Sequence, residues 1–185
     1  MNIFALSFDP TEAARFQCDK HITKMTVEAY QCLGSAVIRH GATPDMMPLT
    51  QKGTPLKGGY HNHPATRWAG DTQDNFLWLC FHAAALAEEF ERRFGKTHFC
   101  VHGIEHLFHM HNIIPKGDLT PFARCFNQSK GENLDLLEWE CPVEAYREFY
   151  RRDKASIAQW NHFRKAPEWW NDNQYLYGVK YEVAQ

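Results

Sequence analysis

The chain lacks the sequence features of a secreted or membrane-spanning protein. Its six cysteines form no CxxC pair and no compact disulfide framework, which predicts reduced thiols. No basic region precedes an apolar stretch near Met1, so no signal peptide is expected. The longest apolar run, Phe76 to Ala87, is too short to span a bilayer. We therefore expect a cytoplasmic protein without a membrane partner.

The chain also has little excess of either charge. Its net charge is −2 with neutral histidines, so no overall field attracts nucleic acid, although a local basic surface can still form. The length of 185 residues and a hydrophobic content of 44% are typical of a globular protein with a sizeable core. Together they predict one domain over residues 1–185.

Periodicity and helix-end signals predict a mainly α-helical, single-domain protein with four to five helices and long irregular loops. Asp9-Pro10-Thr11-Glu12 is typical of a capped helix start, and the helical pattern continues to about Arg39, either unbroken or interrupted near Cys18. Residues 3–8 are predicted as a short strand or an extended segment. Further helices are predicted over about 71–94, 98–111 and 143–163, with one or two helical turns at 64–68 and irregular segments at 42–60 and 116–140.

The densest group of reactive side chains lies near the start of the first long helix: Cys18, Asp19, Lys20, His21, Lys24 and Glu28. A helical wheel places both lysines and Glu28 on the polar arc, with Cys18 and His21 beside the apolar stripe. We predict that the lysines contact an anionic group and that His21 exchanges a proton. Glu28 or Asp19 would orient a histidine or act as a base. The alternative is a solvated face of i,i+4 ion pairs, with Cys18 as a packed thiol.

A second polar patch, His61-Asn62-His63-Pro64, follows the irregular segment and precedes Trp68 by one helical turn. Backbone donors at a helix start suit an anion such as phosphate, and two imidazoles and an amide add to them. We predict His63 as a second acid–base residue, Asn62 as a ligand contact and Trp68 as a stacking platform. The alternative is a capping turn in which Asn62 or His63 satisfies the helix end and Trp68 fills the core.

Two histidine-rich patterns offer metal ligands. Cys18 and His21, together with His61 and His63, form a set that zinc accepts. His102 and His106 belong to an HxxEH run, the inverted zincin pattern. Both signals are weak in a chain with 11 histidines, and Gly103 weakens the second helix. No cofactor is therefore predicted, and a divalent metal stays an alternative.

Basic and aromatic side chains alternate along the last long helix. Arg147, Tyr150 and Lys154 are the predicted ligand contacts, because cations bind phosphate and rings stack on bases. The alternative is a solvated basic face above an aromatic core stripe.

Several of these motifs resemble a small protein family of tailed bacteriophages and some bacteria whose members are described only as conserved. The resemblance rests on Met1-Asn2-Ile3-Phe4, Cys18-Asp19-Lys20-His21, and Asn62-His63-Pro64 followed by Trp68. It extends over most of the chain through Gly95–His98 and Tyr146–Tyr150, and it does not include the HxxEH run. The resemblance implies a viral accessory role in the host cell cytoplasm and a shared site, but no particular reaction.

Three functions remain open at this point. The first is a phage-type accessory protein that binds a phosphate-bearing ligand, a nucleotide or nucleic-acid base, and transforms it by histidine acid–base chemistry. The second is a non-catalytic binder that sequesters a host signalling nucleotide or a host protein. The third is a metal-dependent hydrolase. The expected partner is thus a nucleotide or nucleic-acid fragment, with a host protein as the alternative.

Overall fold

The computed structural model describes residues 1–162 and 164–171, and these residues fold into helices and irregular segments without a β-strand. The mainly α-helical prediction is confirmed. Four described helices have nine residues or more, and the other three have six or fewer. The helices are α1 (Pro10–Arg15), α2 (Asp19–Arg39), α3 (Pro64–Ala69), α4 (Gln73–Phe94), α5 (Val101–His109), α6 (Pro142–Lys154) and α7 (Glu168–Asn171). No helix in this part of the chain combines the length and apolarity that crossing a membrane requires.

The first residues of the chain belong to the hydrophobic core. Ile3, Phe4, Ala5 and Leu6 are buried, although they form no strand, so the extended alternative is correct. The predicted cap at Asp9 is present, because its Oδ1 accepts the backbone N–H of Glu12 at 2.7 Å. The predicted interruption near Cys18 is also confirmed, since α1 ends at Arg15 and α2 begins at Asp19.

Helix α4 is the centre of the fold and packs against α1, α2, α3 and α5. Phe76, Leu79 and Leu86 on this helix are fully buried, which confirms the predicted central helix. Its end is also as predicted: Gly95 takes the left-handed conformation with φ of +66°, where a residue without Cβ avoids steric strain.

A buried arginine fixes the junction between α1 and α2. The guanidinium of Arg93, near the end of α4, donates to the carbonyl oxygens of Arg15 at 3.0 Å and Gln17 at 2.8 Å. It also pairs with Asp19 and Glu89, each at 3.1 Å. These bonds satisfy backbone groups that the break between the helices would otherwise leave buried and unpaired. The start of α2 is thereby held at a fixed position on α4.

The irregular segment before α3 is anchored on α2 by Ser35. The backbone N–H of Gly59 donates to Ser35 Oγ at 2.8 Å, and that hydroxyl donates to Gly59 O at 2.9 Å. A Cβ on Gly58 would lie 2.3 Å from Ser35 Oγ, so only glycine permits this approach. These two hydrogen bonds hold the irregular segment against α2 just before the turn that leads into α3.

Two predicted helices are shorter than the sequence indicated. Helix α5 begins at Val101 and not near His98, because Cys100 is its N-cap, and it ends at His109. Helix α6 ends at Lys154, nine residues before the predicted end. The predicted end itself, Phe163, lies outside the described residues.

Candidate active site

A polar pocket opens where the start of the chain, the turn before α3 and the segment after Cys125 meet. Its volume is about 470 Å³. The lining residues are Met1, Asn2, Asn62, His63, Pro64, Cys125, Asn127, Gln128 and Ser129. Amide, hydroxyl and imidazole groups make up much of this lining, so the pocket suits a ligand with hydrogen-bonding edges.

Glu28 of α2 meets the first two residues beside this pocket. Its Oε2 accepts the backbone N–H of Asn2 at 2.8 Å and lies 3.6 Å from the α-nitrogen of Met1. Its Oε1 lies 3.2 Å from Nζ of Lys24, one turn earlier on the helix. The side chain of Glu28 is 11% exposed, so this carboxylate is largely removed from water and balanced by two cations.

The side chain of Asn2 holds the chain start in place. Its Nδ2 donates to the carbonyl oxygen of Cys125 at 2.8 Å. Its Oδ1 accepts the backbone N–H groups of Ile3 at 2.8 Å and Phe4 at 3.1 Å. Chain termini are usually mobile unless they are tied down. These bonds tie this terminus down and fix the α-amine of Met1 next to Glu28.

His63 lies at the pocket wall and caps α3. Its Nδ1 accepts the backbone N–H of Ala65 at 3.2 Å, so the capping alternative is correct and the neutral ring carries its proton on Nε2. Burial lowers the pKa of His63 below its usual value. The ammonium of Met1 lowers this pKa further, and Glu28 opposes the shift. His63 is therefore a neutral hydrogen-bond donor at pH 7 that senses both members of the Met1–Glu28 pair.

His21 is a core residue and does not line the pocket. It is 3% exposed, its ring stacks on Phe4 with centroids 4.8 Å apart, and its Nδ1 lies 2.7 Å from the hydroxyl of Tyr150. The pKa of His21 is lowered to about 3, first by burial and then by Lys154, Lys24 and Lys20, with Asp153 acting in the opposite direction. An imidazole that stays neutral and enclosed in this way is poorly placed to exchange a proton with a ligand in the pocket.

Tyr150 and Trp68, two of the predicted ligand contacts, lie in the core. Tyr150 is fully buried, and its hydroxyl accepts the backbone N–H of Cys18 at 3.0 Å. Trp68 is 4% exposed, and its Nε1 donates to the carbonyl oxygen of Thr120 at 3.3 Å. Its ring packs against Phe122, with centroids 5.3 Å apart. The alternative that Trp68 fills the core is correct.

Asp19 and Arg147 are also engaged within the fold. Asp19 pairs with Arg93 at 3.1 Å, and its Oδ2 accepts the backbone N–H of Asn161 at 2.8 Å. Arg147 donates to the carbonyl oxygen of Leu6 at 2.9 Å and pairs with Glu144 at 2.8 Å. These partners hold Asp19 and the Nε and Nη1 groups of Arg147 within the fold, and the catalytic and ligand-binding roles of the two residues stay predictions.

Three predicted ligand contacts are lysines whose charges act on His21, and we name them the lysine cluster: Lys20 and Lys24 of α2, and Lys154 of α6. All three act on the pKa of His21, which places them around that residue. Lys20 and Lys24 are exposed, whereas Lys154 lies over the ring of Phe4 at 5.6 Å and pairs with Asp153. Lys24 connects this cluster to Glu28.

The predicted metal-ligand sets are not assembled. Among the described residues, no three or more His, Cys, Asp or Glu side chains are grouped so that they could hold a metal ion. Cys18 is fully buried as the predicted packed thiol, whereas His61 is exposed, so these two belong to different environments. His102 is exposed on α5, and Nε2 of His106 lies 2.8 Å from the carbonyl oxygen of Met46.

Sequence reasoning missed the groups that complete the pocket. The α-amine of Met1 belongs to no side chain, and Asn127, Gln128 and Ser129 come from a segment predicted only as irregular. One available signal was the residue type at position 127, because asparagine tolerates the left-handed conformation that the structure has there, with φ of +63°.

A family model described as pyrimidine dimer DNA glycosylase matches residues 1–101. The chain belongs to this family. The matched region contains five of the nine residues that line the pocket, namely Met1, Asn2, Asn62, His63 and Pro64, and it also contains Glu28. A DNA-acting family agrees with the expected nucleic-acid partner and with the resemblance to a small phage and bacterial family. No curated protein and no solved structure matched the chain.

Proposed function

We propose that this member of the pyrimidine dimer DNA glycosylase family is an active enzyme that cleaves the N-glycosidic bond of a damaged pyrimidine in DNA, a step we call base release although the base of a dimer stays joined to its neighbour. In this proposal the α-amine of Met1 is the nucleophile and Glu28 moves the proton. The observation that carries the proposal is the 3.6 Å separation of the amine from the Glu28 carboxylate at the edge of a polar pocket. The family supplies the substrate class.

Cleavage of an N-glycosidic bond requires a nucleophile at C1′ of the sugar and a proton for the departing base. α-Amino groups as a class lose their proton more readily than lysine side chains, which suits them as nucleophiles at neutral pH. The Glu28 carboxylate takes one proton from the ammonium of Met1. The freed lone pair then forms a bond to C1′, the bond from C1′ to the base breaks, and the base takes up the proton from Glu28.

An imine follows from the same two groups. The nitrogen, now bonded to C1′, gives a second proton to Glu28, and that proton passes to O4′ as the bond from C1′ to O4′ breaks. Water hydrolyses the imine, which returns the free amine and leaves an aldehyde at the abasic sugar. No residue besides Met1 and Glu28 has to change its protonation state in these steps.

The remaining groups of the site would bind the substrate. The amides of Asn62, Asn127 and Gln128 can donate to and accept from base edges, and His63 can donate through Nε2. The lysine cluster lies on the side of Glu28 that Lys24 occupies, where DNA phosphates would find cations. These roles support a nucleic-acid substrate, and they assign Lys20, Lys24 and Lys154 to phosphate.

Trapping with borohydride tests the proposal, because the reagent reduces an imine to a stable amine. We expect a covalent complex with a duplex that carries one pyrimidine dimer, and peptide mapping should place the DNA on the nitrogen of Met1. Glu28→Gln retains an oxygen that can accept the Asn2 N–H but cannot take a proton. It should therefore slow base release by about 10²- to 10⁴-fold.

Glu88→Gln is the matched control, because it removes the same charge from an exposed position of α4 that lines the groove between α4 and α5. It should release base at the wild-type rate. Recovery of bound, unchanged lesion DNA would support the non-catalytic binder instead. A trapped complex on a lysine side chain would refute the role of the α-amine.

A further inference from the structure

Tyr60 is a large aromatic side chain that the fold leaves in solvent beside the pocket. It is 61% exposed, more than any other aromatic side chain in the described part of the chain. Its carbonyl oxygen accepts the backbone N–H of His63 at 2.8 Å, which closes the turn that delivers Asn62 and His63 to the pocket. The backbone of Tyr60 therefore belongs to the turn that forms one wall of the candidate active site.

The backbone holds Tyr60 in an unfavourable conformation. Its φ is +54°, in the left-handed region that is strained for a bulky residue. Such strain persists only where the surrounding structure enforces it, and it is concentrated at functional sites. Here the hydrogen bonds between Gly59 and Ser35 fix the preceding residue on α2. The backbone that carries the ring is thus held in place, so little backbone entropy is lost when the ring contacts a partner.

The surroundings of Tyr60 suit a polyanion. Lys57 and His61, on either side of it along the chain, are exposed, and Lys24 is 64% exposed next to Glu28. An exposed aromatic ring together with lysines is the combination that stacks on bases while the lysines contact phosphates. DNA therefore fits this surface better than an apolar protein partner does.

We propose that Tyr60 is a wedge that enters the base stack of duplex DNA next to the lesion, a role that rests on the proposed glycosylase function. Enzymes that react at a nucleotide inside a duplex must take that nucleotide out of the stack. An aromatic side chain inserted at the base step replaces part of the lost stacking and keeps the helix open. Tyr60 would hold the duplex open while Met1 and Glu28 act on the sugar.

The test compares Tyr60→Ala and Tyr60→Trp with the wild-type protein on one lesion in two contexts, duplex and single strand. Base release under single-turnover conditions is the first readout. The second is the fluorescence of 2-aminopurine placed beside the lesion, which rises when the base unstacks. Phe81→Ala is the matched control, since Phe81 is also exposed but lines the separate groove between α4 and α5.

Tyr60→Ala should release base from duplex DNA about 5- to 100-fold more slowly, the range expected for one lost base–aromatic stack. It should lose the fluorescence rise and act on the single strand within about twofold of wild type. Tyr60→Trp and Phe81→Ala should behave as wild type on both substrates. An unchanged duplex rate in Tyr60→Ala, or an equal loss on both substrates, would overturn the wedge. Absence of base release by wild type would refute the glycosylase alone, because the fluorescence readout still tests the wedge.

Discussion

Acid should destabilise this protein through two buried imidazoles, His21 and His82. Burial is the main cause that lowers the pKa of His21 to about 3 and that of His82 to about 4, from a usual value of 6.5. Nδ1 of His82 lies 2.9 Å from the carbonyl oxygen of Pro10, and its Nε2 lies 3.2 Å from Nε2 of Gln17, so the neutral ring is bonded on both sides.

The direction of the effect follows from proton binding. As the pH falls below about 6.5, the unfolded chain binds protons at both histidines while the folded chain does not. Stability is therefore fully present above this value and decreases as the pH falls towards 4. At pH 5 each histidine should lower the free energy of unfolding by about 2 kcal/mol, relative to pH 7.5. The sum of about 4 kcal/mol is a large part of a typical stability of about 5–15 kcal/mol.

Urea unfolding at pH 7.5 and pH 5.0 measures this loss. His21→Gln removes one titrating group, so the loss between the two pH values should shrink by about 2 kcal/mol, while its activity per folded molecule at pH 7.5 should stay near that of wild type. The variant will also be less stable at both pH values, because it loses the stacking on Phe4. Equal stability of wild type at the two pH values, or the full loss retained in His21→Gln, would contradict the assignment. Abolished activity with an unchanged thermal midpoint would restore His21 as a catalytic residue.

Two further substitutions test the assignments at the pocket rim and in the core. Trp68→Ala should lower the free energy of unfolding by about 3–5 kcal/mol, because it leaves a cavity where a buried aromatic ring was. Urea unfolding measures this change, and a loss below about 1 kcal/mol would indicate that the ring is exposed in solution. Tyr60→Gly should leave the thermal midpoint equal to or above that of wild type, because the left-handed conformation costs a residue with Cβ about 1–2 kcal/mol and costs glycine little. Base release from duplex DNA should decrease as in Tyr60→Ala.

Local sequence signals were sufficient for most of the helices. Asp9 caps α1, Gly95 ends α4, and most apolar positions of α4 are buried, because each of these features follows from a pattern within a few residues. The ends of α5 and α6 were less predictable. Their sequences remain compatible with a helix beyond the observed ends. After α6 the chain instead bonds to the start of α2, where Oδ2 of Asp19 accepts the backbone N–H of Asn161.

The site was predicted only in part, and the failures have a common physical origin. A helical wheel places His21 at the border of the apolar stripe, where a side chain can face either a cleft or the core. Phe4 and Tyr150 decide the outcome, and they come from the chain start and from α6. Glu28 lies on the polar arc and meets the pocket for an equally distant reason, since Asn2 brings the chain start to it. Residue type alone does not tell whether a polar residue of α2 faces the core, as His21 does, or the pocket, as Glu28 does.

The nucleophile in the proposed reaction is a main-chain atom, and this makes it testable by a change of length instead of a substitution. One extra residue ahead of Met1 would move the free amine about 3.8 Å along the chain and replace it beside Glu28 with an amide. Asn2 would keep its bonds to Cys125 and Phe4, so the thermal midpoint should change little. Borohydride trapping should disappear, and a mass spectrum of the intact protein would verify the extension. If the extended protein were still trapped at the wild-type rate, the amine would serve only to anchor the chain start, and a different group would have to attack C1′.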